Sequence, residues 1–206
     1  MDTRRGTLVI ACGALAREIA ALRRANDWTG LDVRCLPAEL HNRPERIAPA
    51  VRDEIRAQRA RYAQIFVAYG DCGTGGLLDA VLAEEGVERL PGAHCYEFFA
   101  TPQIFAALAD AEPGTFYLTD FLLKNFERLV VRPLGLDRHP ALKGEYFRNY
   151  RRLVYLAQAA KPGSIERARE IAAYLGLSFE YRFTGYGELG TRLRALASQD
   201  PLAWQA

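Results

Sequence analysis

Cysteine and histidine are the residue types of this chain with the greatest capacity for chemistry, and four of them recur in one kind of position. Cys12 ends an apolar run, Cys72 and Cys95 lie in loops that follow two later apolar runs, and His41 follows another. Tetrahedral transition-metal sites prefer thiolate and imidazole ligands. The sequence therefore predicts a metal site at Cys12, His41, Cys72 and Cys95, with zinc as the first choice and iron or an iron-sulfur cluster as the alternative.

The spacing of these cysteines leaves a second interpretation open. No two of them have the close Cys-x-x-Cys spacing from which a zinc site is read directly. Cysteine is also among the most buried residue types, so each thiol could instead pack as a small hydrophobic side chain beneath a loop. We expect that buried role for Cys35, which lies inside a predicted strand.

The loop at residues 70–76 is rich in glycine. Gly70, Gly73 and Gly75 allow sharp turns and let backbone amides approach a ligand, and the helix that follows directs its positive end to the same place. The sequence predicts that these glycines and Arg43 hold an anion or the carboxylate of a small-molecule ligand, although a solvated helix face also explains Arg43. Neither a Gly-Lys-Ser/Thr ending nor a Gly-x-Gly-x-x-Gly fingerprint is present, so nucleotide binding is not favoured.

The same loop supports a catalytic alternative. Cys72 lies on a predicted strand-to-helix turn, where a helix amino terminus lowers the pKa of a thiol and exposes it as a nucleophile. His94 or His41 would be the general base, with Glu97 or Asp71 orienting it. This arrangement predicts a cysteine hydrolase or acyl transferase. We rank it below the metal site because it gives the other two loop cysteines no role.

The elements that position these residues alternate along the chain. Short β-branched runs followed by segments of helical periodicity predict an α/β fold, with a mainly parallel sheet and helices on both faces, Rossmann-like or flavodoxin-like. Parallel strands end at one edge, where such folds bind ligands, so the loop cysteines should converge there. A helix is predicted at residues 97–108. We expect a single domain over residues 1–206, either with one continuous sheet or with two similar lobes that join within residues 132–151.

Composition excludes several classes of protein. Lys and Arg number 27 against 25 Asp and Glu, with both signs dispersed, so nothing favours binding to nucleic acid or to a membrane surface. No stretch has the roughly 18 uninterrupted apolar residues of a membrane span, and the first residues do not resemble a signal peptide. Four cysteines in 206 residues are too few for a disulfide-rich secreted protein. We therefore expect reduced thiols and a cytoplasmic location.

Several segments of the chain resemble the uncharacterised bacterial and archaeal family called domain of unknown function 1638, or DUF1638. They are Val9–Cys12, Leu40–Arg46, Tyr69–Gly73, His94–Cys95 and Thr115–Thr119. That family is loosely associated with corrinoid-dependent methyl transfer, so the resemblance implies a corrinoid or methyltransferase partner. It also implies that zinc on Cys12, Cys72, Cys95 and His41 would activate a thiol or hold a methyl-transfer partner. A third interpretation is a non-catalytic protein that holds a cofactor or delivers a metal.

Overall fold

The computed structural model describes residues 5–198, with Arg5 described by its backbone alone. The chain divides into two compact units. The first contains the residues up to Phe98 together with those from Gly187 onward, and the second contains the residues from Phe99 to Tyr186. Segment 132–151 therefore lies inside the second unit, and the organisation as one domain stays a prediction.

The first unit is built on a four-stranded parallel sheet with the order β2-β1-β3-β4. Its strands are β1 (Arg5–Cys12), β2 (Leu31–Leu36), β3 (Tyr62–Ala68) and β4 (Glu88–Arg89). The central strand β1 is fully buried at residues 8–11, as expected for an apolar strand flanked on both sides. In the pairing register, Cys12 lies opposite Leu36, so the carboxyl ends of β1 and β2 are level.

Eight α-helices lie within residues 5–198. They are α1 (Ala16–Ala25), α2 (Ile47–Gln58), α3 (Leu77–Glu85), α4 (Pro102–Ala111), α5 (Asp120–Phe126), α6 (Leu142–Phe147), α7 (Ser164–Leu175) and α8 (Gly187–Ser198). Short 3-10 helices at Gly13–Leu15, Ala38–Asn42, Pro44–Arg46 and Cys95–Phe99 lie in the loops that carry the candidate site, and a π-helix at Glu127–Val131 follows α5. None of the described helices is long and apolar enough to cross a bilayer.

The second unit is built on a three-stranded parallel sheet with the order β5-β6-β7. Its strands are β5 (Thr115–Thr119), β6 (Arg152–Ala157) and β7 (Ser178–Phe183). Its core packs Leu118, Leu153 and Tyr155 of the sheet against helix residues such as Phe126 and Ile171. Two parallel sheets with intervening helices confirm the predicted α/β class, of Rossmann-like or flavodoxin-like type.

One predicted helix begins later than expected. Periodicity predicted a helix at residues 97–108, but α4 starts at Pro102, after the 3-10 helix Cys95–Phe99. The residue before a proline is held in an extended conformation, and Thr101 has a ψ of 155°. Its hydroxyl accepts a hydrogen bond from the amide of Ile104 at 3.3 Å, which caps the new helix. The cysteine loop is thereby separated from α4.

Candidate functional site

The end of β1 carries the first candidate ligand. Cys12 is the last residue of the strand, only 4% exposed, and the chain turns immediately into the 3-10 helix that begins at Gly13. A Cβ on Gly13 would lie 2.8 Å from the carbonyl oxygen of Leu36 and 3.0 Å from the amide nitrogen of Ala38. Glycine at this position therefore lets the loop after β1 pack directly against the loop that leads from β2 to His41.

The loop after β3 holds Cys72 in an unusual conformation. Cys72 has a φ of +50°, in the left-handed region that few non-glycine residues occupy, and Gly73 follows with a φ of +84°. The Asp71 carboxylate stabilises this turn by accepting hydrogen bonds from the amides of Gly75 (3.1 Å) and Gly76 (2.9 Å). The result is a tight turn that directs a buried thiol inward, since Cys72 is only 3% exposed.

The loop that carries Cys95 packs directly on the Cys72 loop. The Asp71 amide donates to the Gly92 carbonyl at 3.0 Å, and the Cys72 amide donates to the Ala93 carbonyl at 2.7 Å. A Cβ on Gly70 would lie 2.8–2.9 Å from three backbone atoms of His94. Only glycine allows so close an approach, so Gly70 fixes the distance between the two cysteine loops.

These loops bring three thiols and one imidazole together. The Cys72 and Cys95 sulfurs are 3.2 Å apart, and the Cys95 sulfur also accepts a hydrogen bond from the Gly70 amide at 3.5 Å. Cys12 lies near enough to Cys95, and His41 near enough to Cys72, for each to shift the pKa of the other. All three cysteines are free and buried, whereas His41 is exposed. We call Cys12, Cys72, Cys95 and His41 the thiol cluster.

The pKa values of the residues in the thiol cluster are shifted in different directions. Hydrogen bonds from Cys95 and His41, with the nearby positive charge of His41, lower the pKa of Cys72 to about 5. The hydrogen bond to Cys72 raises the pKa of His41. Hydrogen bonding with Cys12 and with Cys72, together with burial, raises the pKa of Cys95 well above the usual thiol range. The pKa of Cys12 is lowered as well, so ionisation is favoured at Cys72 and Cys12 and disfavoured at Cys95.

Tyr69 is a fifth member of this region that sequence reasoning missed. It follows the last residue of β3 and is 1% exposed. Burial above all, and then the negative charge of the nearby Cys12, raise the pKa of its phenol strongly. Within the described part of the chain its buried hydroxyl has no hydrogen-bond partner of ordinary geometry. A buried polar atom without a partner is rare and marks a place where a ligand or ion can be accommodated.

Comparison with known proteins places the chain in a family. The family model described as a protein of unknown function, DUF1638, matches residues 35–193, well over half of the chain. The chain belongs to the DUF1638 family. The match includes three members of the thiol cluster and begins after Cys12. No curated protein and no solved structure matches the chain significantly.

Two further residues proposed for catalysis in this DUF1638 protein shape the cysteine loop. The Glu97 carboxylate accepts hydrogen bonds from the amides of Ala93 (3.1 Å) and His94 (3.0 Å), and burial raises its pKa. The His94 ring stacks on Tyr96 with centroids 4.8 Å apart, and among the described residues no group bonds its buried Nδ1 atom. Both residues lie beside Cys95, whereas it is His41 that bonds the Cys72 thiol.

The remaining predicted positions have different surroundings. The Gly75 amide already donates to Asp71, so an anion there would have to displace that carboxylate. Gly73 lies against Pro44, which brings the Cys72 loop next to the segment that carries His41 and the exposed Arg43. A ligand-holding role for Gly70, Gly73, Gly75 and Arg43 stays a prediction. The buried role expected for Cys35 is wrong: it is exposed, because β2 is an edge strand.

The thiol cluster does not have the spacing of sulfur atoms that a zinc site has when the metal is bound. Across residues 5–198, no three Cys, His, Asp or Glu side chains are already arranged as ligands around a metal ion. The Cys72 and Cys95 sulfurs are 3.2 Å apart, whereas two thiolates on tetrahedral zinc are about 3.8 Å apart. The thiols are thus closed on each other through hydrogen bonds, and coordination requires them to separate by roughly half an ångström.

Proposed function

We propose that this DUF1638 protein binds zinc through the thiolates of Cys12, Cys72 and Cys95, with the imidazole of His41 as the fourth ligand. The observation that carries the proposal is the convergence of three buried thiols from three separate loops, two of them with sulfurs 3.2 Å apart, near the His41 imidazole. Cysteines that served only as small buried side chains would have no reason to meet at one point. Three sulfurs and one nitrogen form a donor set that zinc prefers.

Two details of the thiol cluster support this donor set. Cys72 already has the thiolate form that a metal ligand needs, since its pKa is about 5. His41 is exposed while the three cysteines are buried, so His41 is the ligand that can exchange with substrate. An exchangeable position distinguishes a catalytic zinc site from a closed structural one. Iron or an iron-sulfur cluster remains the alternative occupant of the same residues.

The proposed site suits an enzyme that acts on a small molecule. Zinc lowers the pKa of a bound thiol or water, so a substrate thiol at the exchangeable position would be a thiolate at neutral pH. That chemistry agrees with the methyl transfer that the family resemblance implies, with a corrinoid or methyltransferase as partner. An accessory protein that holds a cofactor without turnover is the alternative. We propose a cytoplasmic location and no nucleic-acid or membrane partner.

Metal analysis tests the proposal directly. Protein purified without a histidine tag is expected to contain one equivalent of zinc or iron, and Cys72→Ala is expected to lose it. Cys35→Ala is the matched control, because Cys35 is an exposed thiol outside the thiol cluster. Wild-type protein that is free of metal, takes up none on addition of zinc, and keeps its full stability would contradict the proposal.

A second candidate function is a cysteine hydrolase or acyl transferase with Cys72 as nucleophile. The hydrogen bond between Cys72 and His41, together with a Cys72 pKa of about 5, favours it. The 3% exposure of Cys72 disfavours it, since a nucleophile must be reached by its substrate. Alkylation by iodoacetamide at neutral pH separates the two functions. A nucleophile reacts first and alone, whereas metal ligands are protected until a chelator is added.

A further inference from the structure

A cavity lies in the unit formed by residues 99–186, and no residue of the thiol cluster lines it. It has a volume of about 280 Å³ and is lined at the carboxyl ends of β6 and β7 by Tyr155, Ala157 and Tyr181. The loop between β6 and α7 supplies Lys161, and the first turn of α7 supplies Ser164. In open parallel sheets this edge is where ligands bind. We call this cavity the β6–α7 pocket.

We propose that the β6–α7 pocket binds a small molecule with an apolar, ring-sized body and a single carboxylate. The size of the pocket sets the first limit on the ligand. One water molecule occupies about 30 Å³ in the liquid, so the cavity volume corresponds to roughly nine waters. That is enough for one aromatic ring with a short substituent.

The walls of the β6–α7 pocket are mainly apolar. The rings of Tyr155 and Tyr181 meet edge to face, with centroids 5.8 Å apart and planes at 60°. Ala157, Ala160 and Ile165 complete the apolar part of the lining. Small alanine side chains leave the space, and the two tyrosine rings offer surfaces on which a flat apolar group can pack. These walls favour a ligand body that is apolar and planar.

Asp120 and Lys161 form an ion pair at the edge of this pocket. The Asp120 carboxylate, 3% exposed, accepts hydrogen bonds from the Tyr155 hydroxyl at 2.7 Å and from Lys161 Nζ at 2.9 Å. It also accepts from the backbone amides of Gln158 and Ala159 at 3.3 and 3.2 Å. Asp120 thereby fixes the loop that carries Lys161, whose side chain is 53% exposed. A lysine ammonium has three donors, so Lys161 can bond a ligand as well.

The charged groups around the β6–α7 pocket favour a ligand with a single negative charge. The amino terminus of α7 points positive charge toward the loop, and no side chain caps it, because Gly163 occupies the N-cap position. Against this, Asp120 neutralises much of the Lys161 charge, and Glu166 in the first turn of α7 adds an exposed negative charge. With two carboxylates set against one ammonium, a second negative charge on the ligand would be repelled, so one carboxylate held by the remaining Lys161 donors is favoured over a doubly charged phosphate. This inference does not depend on metal binding.

Benzoate is the probe that tests the β6–α7 pocket, with benzamide and inorganic phosphate as comparisons. Binding is measured by saturation-transfer difference NMR and titration on the full chain. We expect wild-type protein to bind benzoate at least about tenfold more tightly than uncharged benzamide, because a charge-assisted hydrogen bond to Lys161 is lost with the amide. Phosphate that binds as tightly as benzoate would contradict the apolar ligand body.

Two variants and one control locate the binding. Lys161→Met removes the charge and is expected to weaken benzoate binding about tenfold or more. Ala160→Phe fills the pocket and leaves the Asp120–Lys161 pair in place, so it should abolish binding in a protein of unchanged stability. Lys124→Met removes an exposed charge from α5 and should bind like wild type. Benzoate that fails to bind wild-type protein, or binds both pocket variants as tightly as wild type, would overturn the proposal.

Discussion

Replacement of Gly70 by alanine tests the close packing on which the thiol cluster depends. The added Cβ would meet the amide nitrogen, Cα and carbonyl carbon of His94 at 2.9, 2.9 and 2.8 Å. Backbone atoms cannot rotate away as a side-chain end does, so the two cysteine loops must separate. Overpacking of this kind costs about 1–3 kcal/mol, which for a chain of this size lowers the melting temperature by about 2–12 °C.

The assay combines urea unfolding, thermal unfolding and metal retention. Gly30→Ala is the matched control, because a Cβ on Gly30 would have no neighbour within 4 Å. Since the Gly70 amide also bonds the Cys95 sulfur, Gly70→Ala should lose bound metal more readily than the control. Unfolding free energies for the two variants that agree within about 0.5 kcal/mol, the usual scatter of neutral surface changes, would refute the reasoning.

Three other predictions concern the charges and exposure described above. In metal-free protein, the ultraviolet absorbance of the Cys72 thiolate should be present at neutral pH and vanish as the pH falls through about 5, because the folded protein favours the ionised form. His41→Ala should move this titration toward the ordinary value of 9.0. A wild-type signal that appears only above about pH 8 would be inconsistent with the interaction between Cys72 and His41. Asp120→Asn should lower the free energy of unfolding by about 1–3 kcal/mol relative to Asp110→Asn, a control at an exposed residue, because it weakens the charge-assisted hydrogen bonds of the buried Asp120 carboxylate. Urea unfolding measures the difference, and equal stabilities would count against a stabilising role for Asp120. In metal-loaded protein, iodoacetamide should label Cys35 first, because Cys35 is the exposed thiol. Peptide mass spectrometry records the order of labelling, and earlier labelling of any buried thiol would speak against the metal proposal.

Sequence patterns predicted the fold where local signals agreed with one another. The strand Ser178–Phe183 and the helix Ser164–Leu175 follow the alternation of short strands and segments of helical periodicity from which the α/β fold was predicted. Glycines at positions 163 and 176 bound that helix, both with positive φ, so the start and stop signals were explicit. The start of α4 was predicted too early because helical periodicity continued across the proline at its first position.

The candidate site was predicted as a set of loops but not as a set of contacts. Parallel topology was enough to draw Cys12, Cys72 and Cys95 to one edge of the sheet. Which histidine bonds which thiol depends on how closely the loops pack, and that distance is set by Gly13 and Gly70, whose absent Cβ atoms no periodicity reveals. A glycine beside each of two loop cysteines was the available signal.

Two single residues show why burial could not be inferred from position in a strand alone. Cys35 was expected to be buried because it lies within a strand, but an edge strand has one neighbour only, and exposure there depends on sheet order. Tyr69 gave no chemical signal, since a tyrosine at the end of a buried strand is ordinary core packing. Its importance follows from an unpartnered hydroxyl, which is a property of the folded surroundings.

The electrostatics of the thiol cluster explain why a cation suits it. Hydrogen bonding with Cys95 and the nearby His41 lower the pKa of Cys72, whereas hydrogen bonding with Cys12 and Cys72, burial and the negative charge of Cys72 raise the pKa of Cys95. Three thiolates within contact of one another would require a further positive charge at their centre. A divalent metal ion supplies two charges at that point and displaces the thiol protons, so its affinity must rise as the pH rises. The hydrogen-bonded cluster and the proposed metal site would thus be two protonation states of the same residues.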